Sequence, residues 1–315
     1  VFADDFYLFI YTQLKRQRYF LKFPIFLKKK MKHILIFTLL SPLFNFSQTL
    51  PSRWDELTGR DWELALKESN YACIVPIGIL EIHGPHGPLG SDLIRVREWA
   101  KRATKEEYAV VFPDYFYGQI NEAKHEYGTF SLPSKLTMEL LEATVAEIGR
   151  NGFKRIIIIN GHGGNPQMIR YFIQNQLESK RNYAVYFFEP DTPSDTGEKI
   201  KKMRQSDPAT DMHGGEKETS VLLHIKPEVV KQERANQESG SDQKRHKLPA
   251  NLYSAIWWYA RFPNHYAGQG EVATAVLGKL ITDNVVRSLV ESIKAVKADE
   301  TTLKLQEAYF DEMKN

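Results

Sequence analysis

Glu81, His83 and Asp92 lie within one short run, Glu81-Ile82-His83-Gly84-Pro85-His86-Gly87-Pro88-Leu89-Gly90-Ser91-Asp92. A carboxylate, an imidazole two residues on and a second carboxylate beyond a Gly/Pro-rich turn are ligand types that hold a divalent metal. Three other stretches carry matching chemistry. They are Asn121-Glu122-Ala123-Lys124-His125, Asn160-Gly161-His162-Gly163-Gly164-Asn165, and Asp211-Met212-His213-Gly214-Gly215-Glu216-Lys217-Glu218-Thr219-Ser220. Mixed nitrogen and oxygen donors without a thiolate suit Zn, Mn or Fe. Cys73, the single cysteine, lies in an apolar run with no basic neighbour in sequence, which reads as a buried small hydrophobe.

These stretches need a scaffold that brings them together. The continuous apolar runs Ala72 to Ile79, Ala109 to Phe112, Arg155 to Ile159 and Tyr183 to Phe188 predict strands covered on both faces. Between them, Leu93 to Glu107 and Thr137 to Arg150 predict amphipathic helices, and Asn165-Pro166 reads as a cap and first-turn proline for another. A helix is expected to open at the Glu216-Lys217-Glu218 segment, a long one over Thr274 to Val296 and a short one over Thr302 to Lys314. The succession implies an α/β/α three-layer sandwich with a mostly parallel central sheet. In such sheets ligands bind beyond the carboxyl ends of the strands, which is where all four polar stretches fall.

Each residue also has a plainer reading. His224 and His246 read as surface or hydrogen-bonded histidines. The Gly-rich segment around His162 could be an anion nest, but it lacks the Lys and hydroxyl of a P-loop and its glycines are not in Rossmann spacing. Glu216 and Glu218 could serve only to favour a helix N-terminus. His86 is expected to shape the turn or support a ligand rather than bind metal. Lys231 to Lys247 reads as an exposed or mobile charged loop. The aromatics Tyr253, Trp257, Trp258, Tyr259, Phe262 and Tyr266 are expected in core or subunit-interface packing, with a lid over a pocket as the alternative. His265 and Glu271 could enter the site from a loop or a neighbouring subunit.

With 315 residues, 42% hydrophobic and 26% charged, the chain can bury a substantial core. The net charge of +3 comes from the first 33 residues, where eight Lys/Arg face two acids; the remainder carries −3. No basic stripe suggests nucleic acid. Residues 1–48 read as an extension with a secretory signal, its basic patch at Lys28 to His33 and its apolar run at Ile34 to Phe46, and with translation starting at Met31. The apolar run is too short to span a membrane. The domain is expected over 49–315, exported if that signal is real and cytoplasmic otherwise.

Taken together, Val75 to Asp92, Tyr127 to Leu132, Ile158 to Asn165 and His213 to Ser220 resemble the creatininase (creatinine amidohydrolase) family in order and spacing. The resemblance implies an α/β sandwich with two divalent ions, assembled as a homo-oligomer, in some members a hexamer, that hydrolyses cyclic amides or related C–N bonds of small molecules. Glu81, His83, Asp92 and His162 fall on the family's metal-ligand positions, with Asp92 as the bridge. Glu81 and His83, one residue apart on an extended segment, can face adjacent metals.

Creatininase itself places a further ligand glutamate where this chain has Gly164. Glu218 is expected to replace it, with Glu216 in reserve, and creatinine is thereby put in doubt as the substrate. The expected chemistry is attack on the amide by a hydroxide shared between the two ions. His213 is expected to carry the proton to the leaving nitrogen, with Glu122 and His125 as second choices or substrate contacts. The rival readings are a deformylase or peptide-trimming hydrolase on the same scaffold, and a non-catalytic exported binding protein.

Overall fold

The computed structural model describes residues 50–249 and 251–313. The described residues fall in one compact unit, Leu50–Asn315. The extension, signal and start expected over residues 1–48 lie outside the described residues. Among the described residues no helix is long and apolar enough to cross a membrane.

Four strands form one parallel sheet: β1 (Ala72–Ile77), β2 (Val110–Val111), β3 (Arg155–Asn160) and β4 (Ala184–Phe188), in the order β2-β1-β3-β4. The helices are α1 (Trp62–Glu68), α2 (Ser91–Glu106), α3 (Ser134–Arg150), α4 (Pro166–Asn175), α5 (Ser194–Met203), α6 (Glu216–Ile225), α7 (Trp257–Arg261), α8 (Ala275–Ala298) and α9 (Thr302–Glu312). Side chains alternate across the sheet, as the strand pleat requires. Ile74, Ile157 and Ile159 meet Val96 and Ala100 of α2, Val221 of α6 and Leu289 of α8 on one face. Cys73, Val75, Ile156 and Ile158 meet Ala65 of α1, Leu141 and Val145 of α3, and Phe172 of α4 on the other. The protein is therefore an α/β/α sandwich. Burial pushes the Cys73 thiol up, away from reactivity.

From β1 the chain goes one way to β2, then crosses back to place β3 on β1's other side. Helices α2 and α4, which follow β1 and β3, lie on opposite faces. This is a topological switch point, and the loops after β1 and β3 part there to leave a crevice.

Some expectations need correction. β1 stops at Ile77, short of the expected Ile79, and Gly78 just beyond it passes so close to α2 that an added Cβ would lie 2.7 Å from the Leu93 nitrogen. The charged stretch after β4 contains helix α5, with Asp195 in its first turn and Lys201 and Lys202 in its last, the arrangement a helix dipole favours. Asn165 precedes α4 but makes no side-chain cap; its Oδ1 accepts from the Gln119 N–H at 2.9 Å. Lys231 to Lys247 is tied down at its start. A 3-10 helix spans Gln232–Gln237, Ala235 is buried, and the Gln232 amide donates to the Ala273 carbonyl at 2.8 Å.

Candidate metal centre

The run Glu81 to Asp92 folds back on itself. The Glu81 N–H donates to the Leu89 carbonyl at 3.0 Å and the Gly87 N–H to the His83 carbonyl at 3.2 Å. Gly84 supplies the positive φ of 63° that the turn needs. Asp92 thereby lands in the first turn of α2, where a carboxylate is favoured, beside His83. After β3, the Asn160 side-chain amide donates to the His162 carbonyl at 2.6 Å and its Oδ1 accepts the His162 N–H at 3.2 Å. Gly161 lets this loop approach α2, since a Cβ there would lie 2.5 Å from the Asp92 carbonyl oxygen. His213 pairs backbone to backbone with Ala267, and the Gly214 N–H donates to Glu218 Oε2 at 2.7 Å.

Three histidines share one pattern. His83 donates from Nδ1 to the Glu81 carbonyl at 3.2 Å, His162 from Nε2 to the Gln119 carbonyl at 2.8 Å, and His213 from Nε2 to the Ile82 carbonyl at 2.7 Å. In each, the other ring nitrogen faces carboxylates. His83 Nε2 lies 3.2 Å from Asp92 Oδ1, His162 Nδ1 lies 2.7 Å from Glu81 Oε1 and 3.5 Å from Asp92 Oδ2, and His213 Nδ1 lies 3.8 Å from Glu218 Oε2. A backbone carbonyl on one nitrogen with the other aimed inward is how proteins orient metal-binding imidazoles. Asp92 stands between His83 and His162, and its buried Oδ2 has no hydrogen-bond partner among the described residues. The donor set therefore suits divalent cations, with one grouping of Glu81, Asp92 and His162 and another of His83, His213 and Glu218.

The charges agree with this arrangement. Burial opposes a charge on His83, but the Asp92, Glu81 and Glu218 carboxylates outweigh it and raise the imidazole to about 9. Burial is likewise outweighed at His162, which Glu81 and Asp92 hold well above the usual histidine range. Asp92 is held well below the usual carboxylate range despite burial, by His83, His162 and Arg95. Protons held between imidazole and carboxylate are the charges a metal displaces on binding. His213 differs, because burial drives it down to about 4 and keeps it neutral.

His265 also reaches the centre, and Glu81, His213 and His265 form a third close grouping. Its protonation argues against ligation. The Trp258 indole N–H donates to His265 Nδ1 at 2.6 Å, so the ring proton sits on Nε2, which donates to Glu81 Oε2 at 2.6 Å. Burial lowers His265 to about 3, which keeps that neutral form. His265 thus fixes the Glu81 carboxylate. Sequence alone allowed its entry from a loop or a neighbour; the structure brings it from the loop after α7 of the same chain, in a left-handed conformation with φ 52°. Arg95, one turn beyond Asp92, was missed altogether. Its i,i+3 spacing from Asp92 on a helix was the available signal.

The remaining expected residues fall outside the cluster. Glu122 accepts from the Gln119 amide at 2.8 Å and His125 donates to the Pro263 carbonyl at 2.7 Å; both line a cleft of about 1070 Å³ that also touches Gly164, Tyr253 and Trp257. Glu216 turns away, its carboxylate taken by the backbone N–H groups of Gln205 and Ser206 and by the Ser206 hydroxyl. His86 is buried at 2.8 Å from the Thr219 hydroxyl. Trp258, Phe262 and Tyr266 are buried, whereas Tyr253 is 82% exposed at the cleft, so the aromatic group divides between core and pocket wall. A smaller cavity of about 390 Å³ reaches Arg95, His213 and Glu218 from the α5 side.

Comparison with known proteins bears on this centre. Residues 55–293 match the family model Creatininase, described as creatinine amidohydrolase. The chain is 33% identical over 167 residues to the mycofactocin precursor peptide peptidase of Mycolicibacterium smegmatis, a match over 50% of this chain and 59% of that protein, less than two thirds of its length. It is 27% identical over 191 residues to the creatinine amidohydrolase of Pseudomonas putida, over 57% of this chain and 74% of that one. Among solved structures, creatininase with Mn superposes at a TM-score of 0.62 and 21% identity, covering 79% of this chain and 99% of that one, a likeness of fold. This chain belongs to the creatininase (creatinine amidohydrolase) family of hydrolases.

Proposed function

We propose that this protein is a metal-dependent amidohydrolase that cleaves a C–N amide bond of a small-molecule substrate. The observation carrying the proposal is the shared orientation of His83, His162 and His213, each anchored to a backbone carbonyl and each aimed at carboxylates around Asp92. Glu81, Asp92 and His162 would hold one divalent ion, and His83 and Glu218, grouped with His213, a second, with Asp92 beside His83 as the carboxylate shared between them; Zn, Mn and Fe all suit these donors. Such ions supply a water acidified towards neutrality and a polarised substrate carbonyl. His265 keeps Glu81 in place through its Nε2–H, and His213, neutral and with Nδ1 facing Glu218, moves the proton to the leaving nitrogen. Glu122 and His125 face the cleft as substrate contacts. Homo-oligomeric assembly belongs to the proposal, supported by the exposed apolar side chains Leu248, Leu252, Tyr253 and Ile256.

A peptide-trimming reaction on the same centre is the second reading. The cleft of about 1070 Å³, walled by Tyr253, Trp257 and Tyr259, exceeds the needs of a small cyclic amide, and one relative is named a precursor peptide peptidase. Metal-loaded protein assayed against lactams, linear amides and short peptides, before and after chelation, separates the two. Chelator-sensitive turnover of at least one class, regained on adding metal, is expected. Turnover of peptides alone selects the second reading, and no metal-dependent turnover of any class contradicts both.

A further inference from the structure

The smaller cavity, of about 390 Å³, carries a surplus of hydrogen-bond donors. It is walled by α2, α5, α6 and α8 and touches His213 and Glu218, whereas no proposed metal ligand lines the larger cleft. Three side chains on its wall hold buried N–H groups with no acceptor among the described residues, namely Arg95 at Nε, Trp99 at Nε1 and Arg204 at Nε. Arg95 and Trp99 are only 6% and 9% exposed, and the Arg204 side chain 8%. Among the described residues both guanidiniums make all their hydrogen bonds through Nη2. That of Arg95 serves Asp92 Oδ1 and the Gly161 carbonyl and lies 2.9 Å from Glu218 Oε1; that of Arg204 serves Asp211 Oδ2 at 2.8 Å and the Ser206 hydroxyl at 3.2 Å. Arg204 Nε comes within 3.8 Å of Glu216 Oε2, beyond hydrogen-bonding reach. No acceptor on the wall is left over in exchange. Asp211 takes Arg204 and the N–H groups of Glu216 and Lys217, and Glu218 takes Arg95 and the Gly214 N–H. Lys217 adds an exposed ammonium with no ion pair among the described residues.

Buried donors in folded proteins are paired, so a wall with three unpaired ones calls for an acceptor that the cavity admits. Besides His213, three cationic side chains face two carboxylates there, which leaves one net positive charge and suits a monoanion. Guanidinium and indole N–H groups match the two oxygens of a carboxylate, and the volume is that of a small-ligand site. We propose that this cavity binds a carboxylate, and that the amide cleaved at the adjoining centre carries a free carboxylate on the part that enters here. The second half rests on the hydrolase reading above; the first does not. The carboxylate lies against Arg95, Trp99 and Arg204, with the charge of Lys217 added, and the amide points toward His213 and Glu218.

The test compares, by calorimetry on the full-length, metal-loaded protein, the binding of N-acetylglycine and of N-acetylglycinamide, its uncharged isostere. The acid is expected to bind about tenfold more tightly or better, the size of a charge-assisted pair. Arg204→Met should abolish most of that preference, and Lys217→Met, which alters only an exposed side chain, should reduce it severalfold without disturbing the fold. A preference unchanged in both variants, equal binding of acid and amide, or binding of neither would leave the cavity to water and overturn the proposal. A preference that chelation abolishes would put the carboxylate on the metals rather than on the arginines, and overturns it as well. Hydrolysis supplies the second arm. Amides bearing a free carboxylate should show kcat/KM about tenfold or more above their carboxamide counterparts, and equal values would overturn the substrate half. Carboxylate binding that persists in a protein with no metal-dependent hydrolysis upholds the site and sinks the hydrolase reading instead.

Discussion

At the scale of single residues, the roles in this centre are set by which nitrogen of each imidazole is already engaged. His83, His162 and His213 spend one nitrogen on a main-chain carbonyl and offer the other, whereas His265 is fixed in the opposite sense by the Trp258 indole. Residue type alone does not distinguish these cases. His213 sits outside the grouping of Glu81, Asp92 and His162, so its loss should leave that position intact. His213→Ala is therefore expected to keep at least one ion per chain while turnover falls by about 10² to 10⁴, the usual size of a lost proton-transfer group. Elemental analysis beside steady-state kinetics checks this. A metal-free variant, or one with wild-type turnover, would contradict the role given to His213.

At the scale of elements, the centre depends on how closely helices and loops approach each other. Glu218 is carried by the first turn of α6, and α8 presses on α6 at Gly278, where an added Cβ would lie 1.8 Å from the Ser220 carbonyl oxygen. Alanine inside a helix normally stabilises relative to glycine by up to about 1 kcal/mol. Here the overlap is with backbone and cannot be relieved by a rotamer change, so Gly278→Ala is expected to cost about 1–3 kcal/mol instead. Chemical denaturation measures it, and an unchanged or raised midpoint would contradict the packing. The strands and the helices flanking them were legible in the sequence because their apolar runs and periodicities are local properties. The close approaches were not, because Gly78, Gly161 and Gly278 show only that a side chain is missing, not what passes there.

At the scale of the whole molecule, Glu81, His162, Glu218 and His265 are brought to one edge of the sheet from distant parts of the chain. The first three were readable because each sits in a polar motif after a strand or at the start of a helix. His265 and Arg95 were harder. His265 depends on the Ala267–His213 pairing that docks its loop, and Arg95 reads in sequence as one more charge on an amphipathic helix. The sequence favours Glu218 over Glu216 because the apolar run that follows it lets it face inward, and the fold turns Glu216 toward Gln205 and Ser206 and Glu218 toward Arg95. Everything in the functional account passes through Asp92, the carboxylate between the two metal groupings. The most direct test is the metal content and hydrolytic rate of Asp92→Ala beside wild type, after both have been incubated with excess divalent metal and desalted. The account predicts divalent metal in the wild type and loss of both metal and hydrolysis in the variant; full activity retained by Asp92→Ala would contradict it.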